Sequence, residues 1–187
     1  AKVCPALQRP GMVTSAVWTD FDNDKQTDLI IAGEWMPLQF FKNTNGKLVD
    51  ATTSNGLTQM SGMWRSLVAS DMDNDGDIDL VAGNLGLNSE YKVSEAEPMQ
   101  LYAADLDGNG SMDPVLFYYI KAEDGRRHSF PAISRNRFSD QVPAIKKKFL
   151  LYKDYSHATY DEIFKRESKE NMVQLRCEEA RTCYFEK

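Results

Sequence analysis

Asp71-Met72-Asp73-Asn74-Asp75-Gly76-Asp77-Ile78-Asp79 is an acidic loop set between two short apolar stretches, Leu67 to Ser70 before it and Leu80 to Ala82 after it. Carboxylates stand at loop positions 1, 3, 5, 7 and 9. Such crowding repels unless a cation sits among the acids. The flanks are rich in Val, Leu and Ala and too short for helices, so the segment reads as strand, loop, strand.

The pattern is repeated in the chain, as a search for internal similarity requires. Upstream, Ala16-Val17-Trp18-Thr19 leads into Asp20-Phe21-Asp22-Asn23-Asp24-Lys25-Gln26-Thr27-Asp28 and then Leu29 to Ala32. Downstream, Leu101-Tyr102-Ala103-Ala104 leads into Asp105-Leu106-Asp107-Gly108-Asn109-Gly110-Ser111-Met112-Asp113 and then Pro114 to Leu116. Each copy predicts a β-hairpin. Between the first two copies, Pro37 to Lys42 and Lys47 to Thr52 flank Asn45-Gly46, a strong two-residue hairpin signal. Four antiparallel strands in series make a sheet of propeller-blade size. The fold expected is therefore mainly β, a partial β-propeller of antiparallel four-stranded blades with a short helical insertion.

The third copy admits two registers. Asp20 and Asp71 lie 51 residues apart but Asp71 and Asp105 only 34, which leaves little room for a second full blade. Trp35 to Phe41 resembles Glu97 to Tyr102, which puts the third loop at the outer hairpin of blade two, and this second register is the one favoured. Beyond Tyr119 the pattern changes. Ser139 is the expected N-cap of a helix running through Asp140, Gln141 and Val142 to about Leu151, with Pro143 tolerated in its first turn. Thr159-Tyr160-Asp161-Glu162 has the form of a capping box and predicts a short helix through Ile163-Phe164. Strands return near Val173 to Arg176 and Thr182 to Phe185. The expected organisation is blades over residues 1–131, a helical insertion over 132–167 and returning strands of the next blade over 168–187.

The three loops converge hard oxygen ligands suited to calcium: side chains at positions 1, 3 and 5, a backbone carbonyl at 7 and Asp at 9. The expected ligands are Asp20, Asp22, Asp24, Gln26 through its carbonyl and Asp28; Asp71, Asp73, Asp75, Asp77 through its carbonyl and Asp79; and Asp105, Asp107, Asn109, Ser111 through its carbonyl and Asp113. Two to three Ca2+ ions are expected. An EF-hand shares the 1-3-5 spacing, but Ile31, Ala82 and Leu116 stand where it needs a bidentate Glu at position 12. The sulfur and imidazole ligands of zinc or copper are missing from the loops. Magnesium suits the set less, because it keeps waters and demands stricter geometry. The competing reading is that Asp, Asn and Gly form turns with no ion at all.

Composition agrees with a folded binding module. Of 187 residues 42% are hydrophobic and 11% aromatic, enough for a core. Twelve of the 28 acidic residues fall in the three nine-residue windows, which explains much of the net charge of -6 and argues against a nucleic-acid partner. Arg126, Arg127, Arg135, Arg137 and Lys146 to Lys148 read as a solvated face or a local anion patch. No run of eighteen apolar residues is present, so no membrane span is expected, and Ala1 to Pro5 lacks the order of a signal peptide. Cys177 and Cys183 either close a hairpin disulfide, with Cys4 free or paired elsewhere, or stay reduced.

These repeats resemble the FG-GAP/VCBS family of β-propeller repeats, found in integrin α-subunits and many bacterial exported proteins. Gly33-Glu34-Trp35-Met36-Pro37, Gly83-Asn84-Leu85-Gly86-Leu87-Asn88 and the stretches Lys146 to Phe149 and Ala158 to Phe164 resemble its ASPIC/UnbV or cartilage-acidic-protein-like subgroup, over roughly residues 11–187. The resemblance implies a calcium-bound propeller of about seven blades, exported to the cell exterior, cell surface or periplasm. Its implied role is adhesion, scaffolding or binding of a protein or carbohydrate ligand. Two to three blades' worth of sequence cannot close a ring, so the rest of a larger propeller chain, other copies or partners are expected to complete it. The alternative from another class is a lyase-like enzyme acting on polysaccharide. There a metal would polarise a uronate while Lys, Arg or His moved a proton. His128 and His157 are its only histidine candidates, and Trp18, Trp35 and Trp64 its candidate sugar platforms or, equally, core residues.

Overall fold

The computed structural model describes residues 4–55, 60–164 and 172–187. The chain is mainly β, with antiparallel sheets of three to five strands and a few short helices, consistent with a partial β-propeller. It divides into two compact units, Ala1–Glu90 with Cys177–Lys187, and Tyr91–Arg176.

In the first unit, β1 (Met12–Thr19), β2 (Asp28–Met36), β3 (Gln39–Thr44) and β4 (Lys47–Asp50) form one meander, and the two-residue β5 (Gly62–Met63) adds to β2. The expected Asn45-Gly46 turn joins β3 to β4, with both residues at positive φ, 53° and 81°, the type I′ geometry that matches strand twist. β2 is buried on both faces. Ile30 and Ala32 join Leu38, Phe40, Trp64, Leu80 and Ala82 in one core; Leu29 and Ile31 join Cys4, Met36 and Phe41 in another. Each large apolar side chain so buried contributes about 2 kcal/mol, so β2 is the element that anchors the loop preceding it.

The second sheet of this unit has the order β12-β7-β6, with β6 at Ser66–Ser70, β7 at Asp79–Gly83 and β12 at Cys183–Phe185. Its two consecutive strands pair as expected, Ser70 against Asp79. The third strand comes from about a hundred residues further on, with Tyr184 opposite Val81. The favoured register for the third loop is therefore corrected. The neighbour of β7 is β12, and the strands around Asp105 lie in another sheet. β12 stands to β7 as β3 stands to β2, so Tyr91–Arg176 is inserted between the second and third strands of this sheet.

The second unit holds β8 (Met99–Ala104), β9 (Asp113–Lys121), β10 (Arg127–Pro131) and β11 (Val173–Cys177), in the order β10-β9-β8-β11. Four short helices follow β10: α1 (Arg135–Gln141), α2 (Ala144–Lys148), α3 (Tyr152–Ser156) and α4 (Tyr160–Ile163). Tyr102, Val115 and Phe117 of the sheet bury against Phe138, Val142, Ile145, Phe149 and Phe164 of the helical segment. The third hairpin, β8 and β9, thus packs in a core of its own sheet.

The single helix expected from Ser139 to about Leu151 is replaced by two, α1 and α2. Ser134 is the N-cap of α1, its hydroxyl accepting from the Arg137 N–H, and Ser139 lies inside that helix, donating to the Arg135 carbonyl at 2.7 Å. Val142 precedes Pro143, which disfavours helical backbone there. It is extended, φ −130° and ψ 93°, and α2 starts afresh after Pro143. Buried Arg135 holds the pieces together by donating to the carbonyls of Phe149, Lys146 and Leu150. The capping box at Thr159 is present, with Glu162 accepting from the Thr159 N–H at 2.8 Å. Residues 165–167 of the expected insertion and 168–171 of the expected returning strands lie outside the described residues.

Cys4, Cys177 and Cys183 are free thiols. β11 and β12 pair with different strands, so Cys177 and Cys183 do not face each other across a hairpin.

Candidate metal centres

All three acidic loops connect paired strands: β1 to β2, β6 to β7 and β8 to β9. Each has the same internal wiring. The ninth-position carboxylates sit at the start of the second strand and are buried, with Asp28 4%, Asp79 1% and Asp113 3% exposed. Each accepts from the backbone N–H of position 2: Phe21 to Asp28 at 3.2 Å, Met72 to Asp79 at 3.1 Å and Leu106 to Asp113 at 2.9 Å. The fifth-position side chains accept from the N–H of position 7: Gln26 to Asp24 at 2.8 Å, Asp77 to Asp75 at 2.8 Å and Ser111 to Asn109 at 2.7 Å. The first-position carboxylates accept from position 6: Lys25 to Asp20 at 2.8 Å, Gly76 to Asp71 at 3.1 Å and Gly110 to Asp105 at 2.9 Å.

This curl needs left-handed backbone twice. Position 6 has φ of 69° at Lys25, 96° at Gly76 and 86° at Gly110. Position 4 has 61° at Asn23, 63° at Asn74 and 79° at Gly108. Asn and Gly tolerate that region and Lys does not favour it, so the first loop bears a strain the other two avoid. The Asn23, Asn74 and Gly108 pattern at position 4 is a sequence signal of this curl.

The wiring gathers three carboxylates in each loop, with one oxygen from each within 4.8 Å of the others: Asp20, Asp22 and Asp28; Asp71, Asp73 and Asp79; Asp105, Asp107 and Asp113. These groups can hold a metal ion, and all-oxygen donors suit Ca2+. The fifth-position Asp24 and Asp75 and the seventh-position Asp77 are not among the gathered carboxylates; at position 5 the backbone N–H groups of Asp24, Asp75 and Asn109 donate to the third-position carboxylates. One oxygen tests the fit directly. Asp71 Oδ1 is buried and has no hydrogen-bond partner, a costly condition for a carboxylate that a cation in the triad would relieve.

The loops differ in what surrounds them. Around the first, Lys42 of β3 makes ion pairs with Asp22 and, at 3.1 Å, with Asp24. These two carboxylates raise the Lys42 ammonium well above its ordinary range. Asp24 is held below the usual carboxylate range by the Gln26 N–H and then by Lys42. Asp28 also accepts from the Asn43 N–H at 2.7 Å, and the Gln26 side chain accepts from the Asn45 N–H at 2.9 Å, tying the loop to the β3–β4 turn.

Around the second loop the corresponding donors come from β12 and the residues just after it. The Tyr184 hydroxyl donates to Asp79 Oδ2 at 2.8 Å and the Lys187 N–H to Oδ1 at 3.3 Å. Burial alone would raise the Asp79 carboxyl, but the Met72 N–H, Tyr184 and the Lys187 N–H hold it below the usual range. Tyr184 is in turn pushed up to about 12 by that bond. Lys187 Nζ lies 3.5 Å from Asp77, and the Asn23 amide of the first loop also donates to Asp77. Lys42, Tyr184 and Lys187 carry no local sequence signal, because their partners lie 18 or more residues away.

The two histidines lie elsewhere. His128 Nε2 is 2.8 Å from Asp124 Oδ2, and both histidines line an open cavity of about 540 Å³ with Phe130 and Thr159. Trp64 is wholly buried, Trp18 is exposed and Trp35 is half-buried at a φ of 60°.

Residues 20–82 match the model of an FG-GAP-like repeat, and the match supports the FG-GAP repeat family. It takes in the first and second loops and the strands between them. No curated protein matches the chain. Among the described residues no helix is long and apolar enough to cross a membrane.

Proposed function

We propose that the chain is a calcium-binding β-propeller repeat module whose ions stiffen the strand-connecting loops, leaving the remaining loops to bind a ligand. The observation that carries this reading is the triple recurrence of one wiring, with a buried position-9 carboxylate and a converging triad each time. Turns alone would need neither the triad nor the orphaned Asp71 oxygen. Asp20, Asp22, Asp24, Asp28 and the Gln26 carbonyl would hold the first ion. Asp71, Asp73, Asp75, Asp79 and the Asp77 carbonyl would hold the second. Asp105, Asp107, Asn109, Asp113 and the Ser111 carbonyl would hold the third. Bound calcium would cancel the repulsion within each loop and fix the hairpin ends.

The ligand would be a protein or a carbohydrate taken by segments such as 84–98 and 121–167, and the role adhesion or scaffolding. Exposed, backbone-built loops of this kind suit the high free calcium outside cells, so an exported location, cell-surface, extracellular or periplasmic, is part of the proposal. The narrower ASPIC/UnbV-like assignment rests on the stretches Gly33 to Pro37 and Gly83 to Asn88.

Calorimetric titration of metal-stripped protein with Ca2+, with Mg2+ as control and melting followed in parallel, tests the reading. Two or three ions are expected, each adding about 2.7 kcal/mol of stability when free calcium is a hundredfold above its dissociation constant. Absence of heat together with an unshifted melting temperature would leave the loops as turns and end the proposal.

A further inference from the structure

We infer that Tyr184 and the Lys187 backbone are positioning groups of the second loop, so that a cation in the Asp71–Asp73–Asp79 triad and the docking of β12 stabilise each other. The inference rests on the calcium reading above and goes beyond it. In the first sheet, the ninth-position carboxylate Asp28 takes its strand donor from Asn43, fifteen residues away on the adjoining β3. In the second sheet, Asp79 takes the equivalent donor from Lys187, 108 residues away, and adds the Tyr184 hydroxyl, 105 away. The same chemical position is thus filled by a strand that must return across the whole inserted unit.

β12 is three residues long and pairs with β7 through Cys183, Tyr184 and Phe185 only. Beyond those ladder contacts it is held by Cys183 and Phe185 packed on the core of Leu80, Ala82 and Trp64, by the pair of bonds to Asp79, and by Asn84, whose amide donates to the Glu179 carbonyl at 2.9 Å. Asp79 is also the buried member of the triad. A cation there fixes the carboxylate in the orientation that receives Tyr184 and Lys187. Conversely, those donors restrain the carboxylate for the cation, as outer-shell partners of metal ligands do. By linkage, whatever factor the ion adds to docking, docking adds to ion affinity. The first loop has no such dependence, because β3 follows β2 directly.

Hydrogen exchange read by segment, with and without Ca2+, combined with calorimetry of Tyr184→Phe, tests this. In the wild-type chain, calcium is expected to slow exchange in residues 71–79 and in 183–187 together. Tyr184→Phe is expected to weaken one calcium site by about tenfold, the scale of losing an outer-shell partner, and to leave the others unchanged. Its melting temperature without calcium should move little. If calcium protects 71–79 while 183–187 exchanges as before, or if Tyr184→Phe binds every ion as the wild type does, the coupling is overturned and the calcium reading stands. If calcium protects neither segment, the second loop holds no ion and this inference falls, while the first and third loops are judged by the calorimetric stoichiometry. The wild-type exchange measurement decides the matter even if the variant folds poorly.

Discussion

The first and second loops have the same backbone cradle and different electrostatic settings. Around the first, Lys42 already stands among the acids, paired with Asp22 and Asp24, and Lys25 accepts a left-handed conformation at φ 69°. Around the second, Lys187 pairs with Asp77 alone, at 3.5 Å, Gly76 takes the left-handed position without strain, and Asp71 keeps an unpartnered buried oxygen. The comparison teaches that wiring makes the cradle while the neighbouring strand decides how much it needs an ion. In the first loop the lysine pairs with a member of the triad, Asp22; in the second it pairs with Asp77, outside the triad.

The largest expected effect is that of Asp79→Ala. It strips acceptors from the Met72 N–H, the Tyr184 hydroxyl and the Lys187 N–H at once, and unsatisfied buried donors are costly. The melting temperature in calcium should fall by on the order of 10 °C, with loss of the second ion in calorimetry. Asp22→Ala, an exposed member of the first triad, should cost clearly less. Equal losses in the two variants would break the distinction between the loops.

How much of this was legible in the sequence follows from distance along the chain. The loops, their bounding strands and the Asn45-Gly46 turn are each written within about seventeen residues, and hydrophobic alternation with turn chemistry is enough to read them. The nine-residue spacing likewise announces which side chains converge. Sheet order was not legible past Gly83, because the third strand of the second sheet arrives from Cys183 and nothing between marks the detour. Ile145 and Phe149 join Phe138 in a separate core, yet in sequence the stretch from Ser139 to about Leu151 reads as one helix. Only Pro143 hints at the break, and its effect on Val142 decides it. The cations that set the loops apart, Lys42 and Lys187, look like any surface lysine until the strands are paired.

A smaller effect sharpens the same comparison. Lys42→Met removes the resident ammonium from beside Asp22 and Asp24. Because such exposed pairs are weak, calcium affinity at the first loop is expected to rise only about fivefold, with the second and third unchanged in the same titration. The calcium-free melting temperature should drop slightly as the acids lose their counter-charge. Were the affinity of the first loop to fall instead, Lys42 would be ordering the loop for the ion and not competing with it.

The smallest effect lies in the acid titration of calcium-free protein. Asp24 and Asp79 are both held below the ordinary carboxylate range, the first by the Gln26 N–H ahead of Lys42, the second by the Met72 N–H, Tyr184 and the Lys187 N–H against the opposing pull of burial. A depressed carboxylate contributes stability that is complete above its unfolded pKa, about 4, and is lost as the pH falls through the folded value. Both loops should therefore loosen only below about pH 4. Carboxyl resonances followed by NMR from pH 6 downward separate the causes. In Lys42→Met, Asp24 should stay depressed, because its main donor is the backbone of its own loop. In Tyr184→Phe, Asp79 should move part-way back toward the ordinary range, because one of its donors comes from β12. An Asp24 that returned fully to the ordinary value would mean that the lysine, and not the loop backbone, holds the first site together. The two cradles would then differ in construction as well as in charge.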